Sequence, residues 1–251
     1  MKQCVLMLML SLLVLPFATT AAAGELDGIS YMTEEFPPLN FEKDGKITGI
    51  AVDLLDAVLK KAGASGSAAD VQLLPWANGY KKVQEVPDTC LFSMTRTEAR
   101  ENMFKWAGPI IVSRIAVIAK KGSNVVIGSP ADLSKYTYGV IREDVGMQML
   151  QAAGVPESNL DITSNNDANI KKLDAGRINA WAYVEATAMA LLKQAGLNPS
   201  DFETVYVLQE SPLCYAFNKN TADSKVEAFQ KALDAVKAEG EADRIIERYV
   251  K

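Results

Sequence analysis

The turn that indicates the fold most directly lies at residues 90–101, where the chain reads CLFSMTRTEARE. The segment begins with apolar residues that predict a strand, continues with hydroxyl-bearing residues and ends in a helical pattern that contains Arg100. The turn between a strand and a helix is where α/β sheets bind ligands. Backbone N–H groups at the helix start, the hydroxyls of Ser93 and Thr95 and the guanidinium of Arg100 would together bind a carboxylate. Taken alone the motif is weak, since an arginine one turn into a helix is usually a solvated surface residue.

Strand and helix patterns alternate on both sides of this turn. Asp44-Gly45 is typical of a hairpin turn, and apolar residues at helical spacing predict a helix from Ile50 to Ala62, which stops at Gly63. The remaining pattern predicts strands at 29–32, 71–74, 90–95, 110–119, 136–141, 160–163, 179–183, 203–208 and 213–218. It predicts helices at 77–84, 146–153, 167–175 and 185–195, and two C-terminal helices joined at Gly240. A short helix is predicted at 97–106 and a helical turn at 129–130. Two β-α-β runs of this kind predict an α/β protein with two parallel-sheet lobes.

No low-complexity tract or flexible linker separates the two runs. The lobes are therefore expected to be joined by strand-like crossings around 107–112 and 209–215, which would form a hinge. This division assigns 27–108 plus 213–251 to lobe one and 109–212 to lobe two.

The N-terminus is typical of a secretory signal peptide. Lys2 precedes an apolar run from Cys4 to Phe17, and small residues follow up to Ala23. Because the run is too short to cross a bilayer comfortably, we predict cleavage after Ala23, removal of residues 1–23 and a periplasmic protein. The alternative is an uncleaved anchor, but no stop-transfer charges follow the run.

The composition after cleavage excludes several function classes. Removal of 23 residues, which include one lysine, leaves 228 residues with 25 basic and 31 acidic side chains, a net charge of −6. A mildly acidic surface without charge clusters argues against nucleic acid or an anionic membrane as the main partner. The chain contains no histidine, which removes the commonest general base, the serine triad and most zinc sites. We expect no metal or other cofactor, and a binding protein rather than an enzyme.

Several segments together resemble the family 3 extracellular solute-binding proteins, the polar amino-acid group that includes histidine and lysine/arginine/ornithine receptors. The segments are 34–41 (EEFPPLNF), 45–54 (GKITGIAVDL), 93–100 (SMTRTEAR) and 104–109 (FKWAGP), with weaker matches at 138–140 and 176–180. The similarity covers most of the chain after residue 23. It implies a two-lobed type II periplasmic-binding-protein fold, each lobe a mixed sheet flanked by helices, with a strand hinge. It also implies a monomer that delivers its ligand to the membrane subunits of an ABC transporter.

Residues of lobe one take ligand-binding roles through this resemblance. Arg100 would hold the ligand carboxylate, and Ser93 and Thr95 would donate hydrogen bonds. Phe36 would flank the ligand with its ring, and Trp76 is similar in placement to an apolar wall residue. The alternative for both aromatic residues is core packing, since such rings bury large areas in any case.

Lobe two departs from the family pattern. Family members usually place an aspartate just after the strand that aligns with 180–183, where it meets the ligand ammonium, but this chain has Val184 there and Glu185 next. Either Glu185 has taken the role or the ligand amine is bound otherwise, and a charge favoured at a helix N-terminus is the structural alternative for Glu185. Arg142 would add a second cation to the cleft, and Arg96 is a further candidate contact.

The resemblance favours a periplasmic receptor that captures a small carboxylate-bearing solute, such as an amino acid. One rival is a periplasmic dehydratase on the same fold, which would need a carboxylate such as Glu185 with a raised pKa as acid or base. A second rival is an extracytoplasmic sensor domain.

The two cysteines that remain after cleavage, Cys90 and Cys214, lie on strands that this fold places side by side. An oxidising compartment allows a disulfide. Antiparallel strands would place the two residues at opposite ends, beyond the Cα separation of about 7 Å that a bridge tolerates. We therefore predict free, buried thiols.

Overall fold

The computed structural model describes residues 24–249, so the predicted signal peptide lies outside the described residues. The strands of this part are β1 Ser30–Thr33, β2 Phe41–Lys43, β3 Lys46–Thr48, β4 Gln72–Leu73, β5 Thr89–Thr95, β6 Phe104–Lys120, β7 Tyr138–Ile141, β8 Leu160–Thr163, β9 Ala180–Val184 and β10 Phe202–Asn218. The α-helices are α1 Ile50–Lys61, α2 Trp76–Glu85, α3 Val145–Ala152, α4 Asn166–Asp174, α5 Glu185–Gln194, α6 Asp223–Ala238 and α7 Glu241–Tyr249. None of these helices is both long enough and apolar enough to span a bilayer.

Local sequence signals account for the elements of the first half. Strands β2 and β3 pair as an antiparallel hairpin, and the turn residues Asp44 and Gly45 both have positive φ, as a tight hairpin turn requires. Helix α1 buries its apolar face, including Leu55 and Val58, and packs on α6. Gly63 follows the helix with φ +69°, a left-handed conformation that glycine adopts without strain. The predicted hairpin and helix are confirmed.

Eight strands form one continuous mixed sheet in the order β4-β1-β5-β10-β6-β9-β7-β8. In lobe one, β1 pairs in parallel with β4 and β5, and in lobe two, β7 pairs in parallel with β8 and β9. Strands β6 and β10 lie between these groups, antiparallel to each other and to their outer neighbours. Helices α1, α2, α6 and α7 belong to lobe one and α3, α4 and α5 to lobe two. The mixed two-lobed α/β fold is as predicted.

The two central strands are longer than the sequence pattern predicted. The predicted short helix at 97–106 ends at Arg100 as a 3-10 turn, and β6 begins at Phe104. The predicted strands at 203–208 and 213–218 form one strand, β10. Pairing between β6 and β10 continues through Pro212, which lies opposite Val112, and shifts register at residues 108–110 of β6, which include Pro109. A proline removes only one ladder donor, so mutual pairing over many residues keeps both strands extended through it.

Both cysteines of the described residues are free and buried. Strands β5 and β10 are antiparallel neighbours, with Cys90 opposite Phe217 and Cys214 opposite Met94. Four residues along β5 separate the two positions, about 13 Å at the usual rise per residue. The expectation of free thiols is confirmed.

The intact mass of the purified protein is expected to be unchanged by reduction. Alkylation of the native protein is expected to be slow, because burial raises the pKa of Cys90 well above its usual value and that of Cys214 to about 11, so little thiolate is present at neutral pH. Mass spectrometry with and without reductant checks this. A gain of two hydrogens on reduction would show a disulfide and contradict the prediction.

Candidate ligand-binding site between the lobes

Arg100 lies at the interface between the lobes and is almost fully buried, with 1% of its surface exposed. It ends the 3-10 turn that follows β5. Its Nη1 donates to the carbonyl of Thr95 in its own lobe (3.3 Å). Its Nε donates to Oε1 of Gln148 (3.0 Å) and its Nη2 to the carbonyl of Glu143 (3.1 Å), both in lobe two. The guanidinium therefore joins the two lobes.

Two aromatic rings of α2 hold this guanidinium in place. Its central carbon lies 5.4 Å from the centroid of the Trp76 ring and 5.1 Å from that of Tyr80, and the two rings stack on each other. The indole Nε1 of Trp76 also donates to the carbonyl of Glu143 (3.0 Å). Cation–π contacts of this kind restrict the orientation of the arginine. Tyr80 was missed from the sequence, although its spacing of four from Trp76 places both rings on one helix face.

The two predicted hydroxyl-bearing site residues of β5, Ser93 and Thr95, are both buried. Ser93 has φ +59°, unusual for a residue other than glycine, and its hydroxyl donates to the side-chain oxygen of Asn40. Asn40 in turn donates to the carbonyl of Glu34 (2.6 Å). Ser93 therefore ties β5 to the loop that follows β1. Thr95 contributes its carbonyl to Arg100. Asn40 is a positioning residue that the sequence pattern did not indicate.

Phe36 reaches across the interface to lobe two. Its ring contacts the ring of Tyr183 edge to face, with the centroids 5.6 Å apart, and only 4% of Phe36 is exposed. The hydroxyl of Tyr183 accepts a hydrogen bond from Nδ2 of Asn166 (3.0 Å). The structure therefore brings Phe36, Trp76 and Arg100 together at the surface where the lobes meet.

Two other predicted site residues lie in different surroundings. Glu185 receives a hydrogen bond from the Thr204 hydroxyl (2.6 Å) and pairs with Arg114 of β6 (2.9 Å). Arg96 forms an ion pair with Glu101 and lies over the ring of Trp106. The charges of Glu185 and Arg96 are thus matched by protein groups away from Arg100.

Two cavities open between the lobes. The first, of about 720 Å³, is lined by Arg100, Tyr80, Arg142, Glu143 and Gln148 among others, so Arg142 does share a cavity with Arg100. The second, of about 340 Å³, is lined by Glu34, Glu35, Trp76, Asn165, Asn166 and Asp167 among others. Volumes of this order suit small-molecule ligands.

Two carboxyl groups, one in each lobe, interact with the charge of Arg100. Asp144 lies at the N-cap position of α3 and is buried, and burial raises its pKa, while Arg100 and the N–H groups of Val145 and Gly146 oppose the rise. Burial also raises the pKa of Glu34, with the charge of Asp144 adding to the rise and that of Arg100 opposing it. The sequence did not indicate either residue as a site residue.

Replacing Glu34 with glutamine is expected to stabilise the ligand-free protein at neutral pH. A carboxyl whose pKa is raised on folding binds more protons in the native state, so the free energy of unfolding falls as pH rises above the unfolded value near 4.5. The groups that act on Glu34 are Asp144, Arg100 and Glu35, and the variant leaves all of them in place.

Thermal unfolding without ligand, at about pH 7.5 and about pH 4.5, measures this effect. The variant should melt above the wild type at the higher pH, and the difference should shrink at the lower pH, where Glu34 is protonated in the native state and about half protonated in the unfolded state. Equal melting midpoints at both values would show that burial of Glu34 carries no penalty.

Comparison with known proteins identifies the family. Residues 29–251 match the model of the bacterial extracellular solute-binding proteins, family 3. The chain is 26% identical over 223 residues to a probable histidine-binding protein of Campylobacter jejuni, covering 85% of this chain and 81% of that protein.

Two solved structures share its fold. One is an ancestral arginine-binding protein bound to glutamine, with TM-score 0.71 and 26% identity over 89% of this chain and 98% of that one. The other is a histidine kinase sensor domain with similarity to periplasmic binding proteins, with TM-score 0.76 and 16% identity over 89% and 96%. With the family model matched from the first strand to the C-terminus, the chain belongs to the bacterial extracellular solute-binding proteins of family 3.

Proposed function

We propose that the protein is a periplasmic receptor that captures a small carboxylate-bearing solute, an amino acid, and delivers it to the membrane subunits of an ABC transporter. The observation that carries this proposal is the guanidinium of Arg100, buried where the two lobes meet and bonded to both. The amino-acid-binding relatives support it. The protein acts by binding, as a monomer exported by a cleaved signal peptide.

The donors of Arg100 suggest how a carboxylate would bind. Nε and Nη2 form one edge of the guanidinium, the edge that binds both oxygens of a carboxylate in parallel. In this structure these two donors bond to Gln148 and to the carbonyl of Glu143, both in lobe two. Separation of the lobes would free both donors while the Thr95 carbonyl and the rings of Trp76 and Tyr80 keep the guanidinium oriented. A carboxylate would then take the place of the two lobe-two oxygens.

Closure would follow from rotation of the lobes about the paired strands β6 and β10. We place the lobe boundaries at Gly108-Pro109 and Pro212-Leu213, so that lobe one is 27–108 plus 213–251 and lobe two is 109–212. A ligand shifts such an equilibrium only by its difference in affinity for the open and closed states. Contacts to both lobes at once provide that difference.

A thermal-shift screen of the twenty L-amino acids, on protein unfolded and refolded to remove co-purified ligand, tests the proposal. A ligand at about 100 times its Kd stabilises the native state by about 2.7 kcal/mol, which raises the midpoint of a chain of this size by about 5 to 10 °C. Native mass spectrometry of the freshly purified protein gives an independent reading through the mass of any bound ligand. No shift with any amino acid, or steady turnover of arogenate or prephenate, would overturn the proposal.

A further inference from the structure

A carboxylate oxygen lies buried between the lobes without a partner. Asp144 is 6% exposed, and its Oδ2 has no hydrogen-bond partner within residues 24–249. The preceding residue, Glu143, supplies the carbonyl that both Arg100 and Trp76 bind. Asp144 is thus held on the lobe-two side of the interface, in the segment that contacts lobe one. A buried acceptor without a donor is costly, and a charged acceptor more so. Its placement indicates a donor that arrives from outside the protein.

A cavity between the lobes is acidic as well. Glu34 and Glu35 of lobe one line the 340 Å³ cavity with Asp167 of lobe two, and no lysine or arginine is among the described residues that line it. The charge of Asp144 acts on Glu34, and the charges of both act on the hydroxyl of Tyr183. Arg100 is the cation that acts on both carboxyl groups. When both carboxyl groups are ionised, two negative charges stand against one guanidinium, and a ligand cation would balance the excess and favour the ionised form.

The residue that the family resemblance suggested for this role is already engaged. The two oxygens of Glu185 are taken by the hydroxyl of Thr204 and by the guanidinium of Arg114. Binding an ammonium group there would require the loss of an existing ion pair. Asp144 requires no such exchange.

We propose that Asp144 of lobe two binds a primary ammonium group of the ligand. The inference rests on the proposed function, in which Arg100 binds the ligand carboxylate. It narrows the ligand class to free amino acids with an unblocked amine and excludes plain organic acids. A zwitterion held in this way meets a guanidinium at one end and a carboxylate at the other, so neither of its charges is buried unpaired.

The test compares two forms of one ligand on matched variants. The probe is the amino acid that shifts the wild type most in the thermal screen, together with its N-acetyl derivative, which keeps the carboxylate and loses the ammonium charge. Calorimetry is expected to show that Asp144→Asn weakens binding of the free amino acid by about 30-fold or more. The N-acetyl derivative should bind the wild type about as weakly as the free amino acid binds Asp144→Asn. Its affinity for Asp144→Asn should be little lower than its affinity for the wild type.

Two variants serve as references. Glu185→Gln tests the rival position in the same lobe, and Glu157→Gln removes an exposed lobe-two carboxylate, beyond the far end of α3, as the control for a change of net charge. Both should bind the free amino acid as the wild type does.

Equal loss of affinity for both ligand forms in Asp144→Asn would assign Asp144 a purely structural role. Unchanged binding in that variant, or a loss confined to Glu185→Gln, would also overturn the inference, whereas a wild type that binds no amino acid would overturn the proposed function itself.

Discussion

Replacing Arg100 with alanine is expected to remove the ligand-induced rise in melting temperature. The side chain supplies the guanidinium edge that would bind a carboxylate, and among the described residues Arg100 is the cation that lies over both the Trp76 and the Tyr80 ring. Loss of one partner of a buried, hydrogen-bonded charge pair typically costs about 2 to 5 kcal/mol, or about 30-fold to several thousand-fold in affinity. Thermal shift and calorimetry, with the amino acid found in the screen, measure the change.

Arg100→Lys should also weaken binding strongly, because an ammonium group cannot present two parallel donors. Arg177→Ala removes an exposed arginine of lobe two and serves as the control. The ligand-free Arg100 variant loses its bonds to Glu143 and Gln148 as well, so its own midpoint without ligand is the reference for the shift. A variant that still shifts fully would refute the assignment of Arg100 and the mode of carboxylate binding built on it.

Replacing Gly146 with alanine is expected to destabilise the protein by about 1 to 3 kcal/mol, since it forces an added atom into a close-packed backbone contact. A Cβ at this position would lie 2.4 Å from the carbonyl oxygen of Ala182 on β9. The two atoms nearest to the added Cβ, the carbonyl oxygen and carbon of Ala182, belong to the backbone, so α3 would have to move away from the sheet. At about 2 to 4 °C per kcal/mol for a chain of this size, the midpoint should fall by about 2 to 12 °C.

The same substitution is expected to weaken ligand binding, because α3 carries Gln148 and begins directly after Asp144. Gly128→Ala is the matched control. A Cβ there would meet only the Asp132 carboxylate, at an ordinary 3.6 Å, so its midpoint should match that of the wild type. Equal midpoints for the Gly146 and Gly128 variants would mean that α3 relaxes freely and that its contact with β9 does not position the cleft.

Local chemistry made much of the fold readable from the sequence. The Asp44-Gly45 turn, the apolar spacing of α1 and the glycine after it each act over a few residues, and the structure has the hairpin and the helix where these signals lie. The two long strands could not be read in this way. The continuity of β10 through Pro212 depends on pairing with a segment about 100 residues away, which no local window contains.

The class of fold and the importance of Arg100 could be predicted from the sequence, because a strand, a hydroxyl-bearing turn and an arginine are adjacent in the chain. The surroundings of that arginine depend on contacts between distant segments. Its partners in lobe two, Glu143 and Gln148, come from a loop and helix more than 40 residues away. Asp144 has the pattern of an ordinary helix cap, and Glu185 that of a candidate cleft acid. Contact between the two lobes buries Asp144 without a partner, and pairing of β6 with β9 inside lobe two brings Arg114 to Glu185, because burial and pairing depend on which distant segments meet.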